Sequence, residues 1–135
     1  GIKSYLALVR KKGQAPAGWM ARFATLSVRA FAVEHEQWDY FARAFGLSQA
    51  AALEPLPGIS PTTKHLGEVV VRMKQEKIPV IVNVPYYNRK YAELVASKTG
   101  ARLLELAHSV GARPGTENLY SFYEFNVHRM LEALK

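Results

Sequence analysis

The chain has 135 residues, one ordinary domain by length, and is long enough to bury roughly two-thirds of the surface it exposes when unfolded. It contains no cysteine, which excludes a disulfide framework, a thiolate metal site, a thiol nucleophile and a lipid-modified cysteine within these residues. Its 49% apolar and 21% charged content is globular, and no apolar run approaches the ~20 residues of a membrane helix. The first residue is glycine and no signal-peptide pattern follows it, so an export signal, if one existed, is expected to have been removed upstream.

The net charge of +7 is unevenly spread. Residues 1–33 carry Lys3, Arg10, Lys11, Lys12, Arg22 and Arg29 with no acid, whereas residues 34–135 are nearly balanced. Basic charge draws nucleic acid or anionic lipid. Only Arg10-Lys11-Lys12 is a true cluster, and no aromatic residue is interleaved with it, so a solvated helix end is the simpler reading and no nucleic-acid partner is expected.

Ile2 to Lys12 reads as the tail of an amphipathic helix that Gly13 ends. A turn over Ala15-Pro16-Ala17-Gly18 and a short helix from Trp19 to Leu26 complete a helical lead-in. A regular alternation follows. Ser27 to Val33 is a strand, and Glu36 to Phe45 is a helix with Trp38, Phe41, Ala42 and Phe45 on one face and Gly46 as its stop. Ala50 to Glu54 is the second strand. Ser60-Pro61 opens a helix that runs to about Glu76. Ile78 to Val84 is a β-branched, buried strand closed by Pro85. Asn88 to Lys98 is a helix, Arg102 to Ala107 the fourth strand, and Leu119 to Leu134 the last helix. Strands alternating with helices of this length predict an α/β fold, a four-stranded parallel sheet with helices on both faces, connected right-handedly and most simply in the order 2-1-3-4.

In such a sheet, ligands bind outside the carboxyl ends of the strands. Glu34-His35-Glu36 ends the first strand, Glu54 the second, Asn83, Tyr86 and Tyr87 the third, and His108-Ser109 the fourth. His65 and His128 fall inside helices. The first and fourth strands both flank the third, so their axes lie about 10 Å apart. Imidazoles at His35 and His108, with metal–nitrogen bonds of ~2 Å, can close that gap. Neutral imidazole suits zinc, and also copper or nickel, whereas carboxylate-rich sites suit manganese better. The alternative is that each histidine caps a loop or packs at the edge of a cleft. Glu34, Glu36 and Glu54 are candidate acid–base groups, with solvated loop carboxylates as the commoner case. The sequence has no Gly-x-Gly-x-x-Gly, no phosphate-binding Gly-Lys-Ser/Thr loop and no nucleophile elbow; Ser109 beside His108 is a turn residue.

The segment His35-Glu36-Gln37-Trp38-Asp39-Tyr40-Phe41-Ala42, followed by Phe45-Gly46-Leu47, resembles a motif of the zinc- and manganese-binding solute-binding proteins of ABC transporters. Leu53-Glu54-Pro55 with Pro57-Gly58-Ile59, Pro61 to Leu66, Ala92 to Val95 with Thr99-Gly100-Ala101, and Ser109-Val110-Gly111 are similar to later segments of that family, in order from about residue 2 to 135. The resemblance implies two α/β lobes joined by a long helix, with a metal held between them by two ligands from each lobe. Residues 1–26 then correspond to the end of the linking helix plus a short helix, and residues 27–135 to the C-terminal lobe. His35 matches a ligand position. His108 stands where the family usually has an acidic ligand, and Val84 precedes Pro85 where many relatives have an acid. Glu36 and Tyr86 are expected on the cleft wall.

The resemblance implies a periplasmic or extracytoplasmic binding protein, not an enzyme, that delivers zinc to a membrane permease. With the N-terminal lobe missing, the site has half its ligands, so weak metal binding and a possible homodimer through the exposed cleft face are expected. The reading open beside it is a flavodoxin-like small α/β enzyme or nucleotide-binding domain on the same sheet edge. A basic nucleic-acid module on residues 1–33 is the third.

Overall fold

The computed structural model describes residues 15–56, 58–84 and 89–135. The expected linking helix at 2–12, the Arg10-Lys11-Lys12 cluster, and Pro85, Tyr86, Tyr87 and Asn88 lie outside the described residues. In chain order the elements are α1 (Ala15–Ala24), β1 (Ala30–Val33), α2 (Asp39–Phe45), β2 (Ser48–Ala52), α3 (Thr63–Glu76), β3 (Val80–Asn83), α4 (Lys90–Thr99), β4 (Arg102–Glu105) and α5 (Leu119–Leu134). The four strands form one sheet in the order β2-β1-β3-β4, and every neighbouring pair is parallel. The fold class and strand order expected from the alternation are therefore those observed.

The strands alternate two apolar faces, and each face has its own core. Phe31, Val33, Val80, Val82 and Leu104 pack with Trp19 and Phe23 of α1, Phe41 and Phe45 of α2, and Val127, Met130, Leu131 and Leu134 of α5. Ala32, Ala50 and Ile81 pack on the other face with Leu66, Val69 and Met73 of α3 and Ala92 and Val95 of α4. The first core is aromatic: the rings of Phe23 and Phe45 stack with centroids 4.6 Å apart, and Phe41 meets Phe45 edge-on at 5.1 Å. Those offset and T-shaped arrangements are the ones favoured by the ring quadrupole.

Helix boundaries follow capping chemistry. Gly46 ends α2 at φ 66°, a left-handed conformation that glycine adopts at no steric cost, and its N–H donates to the Ala42 carbonyl. Two expectations are corrected. The helix expected to open at Ser60-Pro61 opens at Thr63, because the Thr62 hydroxyl accepts from the His65 N–H at 3.1 Å and provides the cap. The turn expected at Ala15 to Gly18 is instead the first turn of α1.

The ladder between β1 and β2 is irregular. Ala30 and Phe31 pair with Ser48 and Gln49, but Ala32 and Val33 pair with Ala51 and Ala52, so one extra residue is accommodated in β2. Ala50 and Ala51 both turn to the second core as a result. Beyond the bulge the partners differ by 19 in number, and the chain continues in that offset past the end of both strands.

Candidate metal site at the carboxyl edge of the sheet

Four residues at or just past the strand ends build the site. Glu34 follows β1, and its N–H still donates to the Val82 carbonyl at 3.1 Å. Its partner across the sheet is Asn83, the last residue of β3, and the Asn83 amide donates to Glu34 Oε2 at 2.7 Å. His35 is next on the same strand exit, and Glu54 stands opposite it beyond β2. The Glu54 N–H donates to the Glu34 carbonyl at 3.0 Å, which holds the two exits side by side.

His35 Nδ1 lies 2.7 Å from Glu54 Oε2, with the two side chains only 20% and 15% exposed. An ionised carboxylate can only accept, so this contact places a proton on Nδ1. Coordination by such a ring runs through Nε2, and a carboxylate behind a ligand histidine fixes its tautomer and raises its basicity. Glu54 therefore does not sit as a solvated loop carboxylate. Neither does Glu34, which is 5% exposed and whose carboxyl is pushed up to about 7. Burial is the larger cause, the nearby Glu54 charge adds to it, and the Asn83 hydrogen bond opposes both. The other amide atom of Asn83, Oδ1, is buried and has no hydrogen-bond partner among the described residues.

His108 lies three residues past the end of β4 at the same edge of the sheet and is exposed. The ladder leads up to it: the Leu106 N–H donates to the Asn83 carbonyl at 3.0 Å. Glu36 is exposed, and Tyr86 falls outside the described residues. Among the described residues there is no group of three or more His, Cys, Asp or Glu side chains placed to hold a metal. The carboxyl edge of the sheet thus carries a histidine–carboxylate pair past β1 and β2, a buried carboxyl–amide pair at Glu34 and Asn83, and a second histidine past β4. His65 is placed otherwise, its Nε2 lying 2.9 Å from the Ala52 carbonyl.

Reading strand ends alone identified His35, Glu54 and Asn83 as edge residues but missed that Glu54 holds His35 and that Glu34 pairs with Asn83. The signal that could have found the first pair is the bulge, since an unbulged ladder offsets partners by 18 and not by the 19 that separates these two residues.

An α/β lobe of this topology, with donor side chains at its carboxyl edge, has the architecture of the lobes of metal solute-binding proteins. The laminin-binding adhesin Lmb of Streptococcus agalactiae has the same fold with a TM-score of 0.76, at 23% identity over 96% of this chain and 49% of its own. The solute-binding protein FpvC of Pseudomonas aeruginosa, solved in complex with Mn2+, matches with a TM-score of 0.70 and 25% identity over 98% of this chain and 49% of its own. A Zn(II)-bound mutant variant of AdcAII from Streptococcus pneumoniae matches with a TM-score of 0.74 and 24% identity, over 98% of this chain and 48% of its own. A curated relative from Treponema pallidum (strain Nichols) is 25% identical over 115 residues, 85% of this chain and 36% of its own length. The chain thus spans about half the length of these solved structures and about a third of that relative.

Residues 3–133 match the model of the family described as zinc-uptake complex component A, periplasmic, and the chain belongs to that family. The family and the structural neighbours are proteins of metal binding and transport, which favours the binding-protein reading over the small enzyme. No helix among the described residues is long and apolar enough to cross a membrane.

Proposed function

We propose that this chain is the C-terminal lobe, residues 27–135 with the end of an inter-lobe helix before it, of a zinc-carrying solute-binding protein that serves an ABC permease outside the cytoplasmic membrane. The metal is cargo and no reaction is catalysed. His35 and His108 each supply one imidazole, Glu54 orients His35, and the other two donors come from an N-terminal lobe. The single observation that carries the reading is the 2.7 Å contact between His35 Nδ1 and Glu54 at the carboxyl edge of the sheet. A carboxylate–imidazole pair in that place is what a ligand histidine needs and what a merely space-filling histidine does not. Two imidazoles favour zinc over manganese. Two donors where a closed tetrahedral site wants four imply weak binding by this chain alone. An uncovered lobe face also favours self-association, which light scattering reads.

Calorimetric titration with zinc and with manganese tests the assignment on the chain, on His35→Ala and on Glu54→Gln. Weak zinc binding is expected, weakened most by His35→Ala and about tenfold by Glu54→Gln, in line with the usual effect of removing an orienting partner. Sub-micromolar affinity that survives His35→Ala overturns the assignment.

A further inference from the structure

Helix α5 reaches the end of β4 through one side chain. Asn126 is 1% exposed, on the helix face that otherwise carries Val127, Met130 and Leu131. Its Oδ1 accepts from the Ala107 N–H at 2.8 Å, and its Nδ2 donates to the Ala107 carbonyl at 2.9 Å. One carboxamide thus satisfies both backbone groups of a fully buried residue, as a residue of an adjacent strand would, at the edge of the sheet where β4 has no further strand beside it among the described residues. An amide in an apolar core is costly unless both of its ends are bonded. The two contacts account for an asparagine at this position, and they fix the direction in which the chain leaves the sheet. The next residue is His108.

A second anchor lies just beyond. The Gly111 N–H donates to the Thr116 carbonyl at 2.6 Å. Thr116 is fully buried; its hydroxyl donates to the Arg113 carbonyl at 2.6 Å and accepts from the Arg113 N–H at 3.1 Å. The Arg113 guanidinium pairs with the Glu105 carboxylate at the end of β4. His108, Ser109 and Val110 therefore span between two fixed points, Ala107 and Gly111.

We infer that Asn126 is a positioning residue for metal capture: by clamping Ala107, with the Arg113–Thr116 turn as the opposite anchor, it presets the loop that carries His108. The inference rests on His108 being a donor, as proposed above, and assigns part of the zinc affinity to a buried amide that never touches the cation. A short span held at both ends has few conformations to lose on coordination, whereas a span released at one end must be ordered by the metal itself.

A double-mutant cycle separates positioning from general structure. Zinc is titrated into the 135-residue chain, Asn126→Leu, His108→Ala and the double variant, with binding read from the NMR resonances of the imidazoles, which report weak affinities. Asn126→Leu is expected to weaken binding about tenfold when His108 is present and to change nothing in the His108→Ala background. An equal effect in both backgrounds, or none in either, overturns the positioning role while leaving the ligand assignment standing. Zinc affinity unaltered by His108→Ala overturns both. If Asn126→Leu does not fold, Arg113→Met, an exposed substitution at the other anchor, carries the same test. Its effect must also vanish without His108, and an effect that persists overturns the preset loop.

Discussion

The most exposed consequence of the site's architecture is the pH dependence of Glu34. Its carboxyl is buried against the Asn83 amide, and its folded value is pushed from 4.5 to about 7. Below pH 4.5 the group is protonated both folded and unfolded and contributes nothing. Between 4.5 and about 7 the folded chain holds a proton that the unfolded chain has released, so stability falls as pH rises through this window. Above about 7 the full cost of a buried charge is present. At about 1.4 kcal/mol per unit the cost is at most ~3.5 kcal/mol, and solvent screening at the edge of the sheet brings it nearer ~2 kcal/mol. Glu34→Gln keeps an oxygen to accept from Asn83 and removes the titration. Urea denaturation at half-unit steps from pH 5 to 8, in metal-free buffer, is the assay. The variant's advantage is expected to be small near pH 5 and to reach about 2 kcal/mol at pH 8, subtraction of the two profiles cancelling the other titrating groups. Parallel profiles, or a native chain more stable than the variant at pH 8, refute the burial of this carboxyl as the controlling effect.

Two further outcomes test the fold that carries the site. Phe23→Ala removes a fully buried ring stacked on Phe45 and edge-on to Phe41; a loss of about 3–5 kcal/mol is expected by chemical denaturation, the range for deleting a core aromatic. Thr62→Ala removes the cap of α3 and should cost about 1 kcal/mol, seen as a lowered melting temperature with zinc affinity unchanged.

The parallel sheet was legible because its evidence is redundant. Val80, Ile81 and Val82 form a β-branched run, Phe41, Ala42 and Phe45 recur at helical spacing, and glycine stands after α2 and α4 at positive φ. Each strand's carboxyl end then followed from topology, which put His35 and His108 on one edge. Signals that depend on three-dimensional neighbours were not legible. Leu94 has the spacing of an inward residue of α4 but is 43% exposed, because packing against α3 and the sheet uses Ala92 and Val95 instead. Lys77 takes the left-handed cap of α3, a role that sequence assigns to glycine. Glu34 reads as a loop carboxylate, since nothing local tells that Asn83, 49 residues later, will meet it. Asn126 reads as a polar interruption on an apolar helix face until its backbone partner is seen.

The irregular pairing of β2 with β1 also bears on how the chain's length can vary. Deleting Ala50 would straighten the ladder while Ala51, Ala52 and Glu54 kept their neighbours, so the carboxylate would still meet the imidazole. Deleting a residue after Ala51 would leave Glu54 opposite Glu34, one position short of His35, and turn the following side chains to the wrong face. Insertions and deletions should therefore be tolerated on the early side of this strand and rejected on the late side. The bulge acts as a slack link that protects the end facing His35 from changes in the spacing upstream.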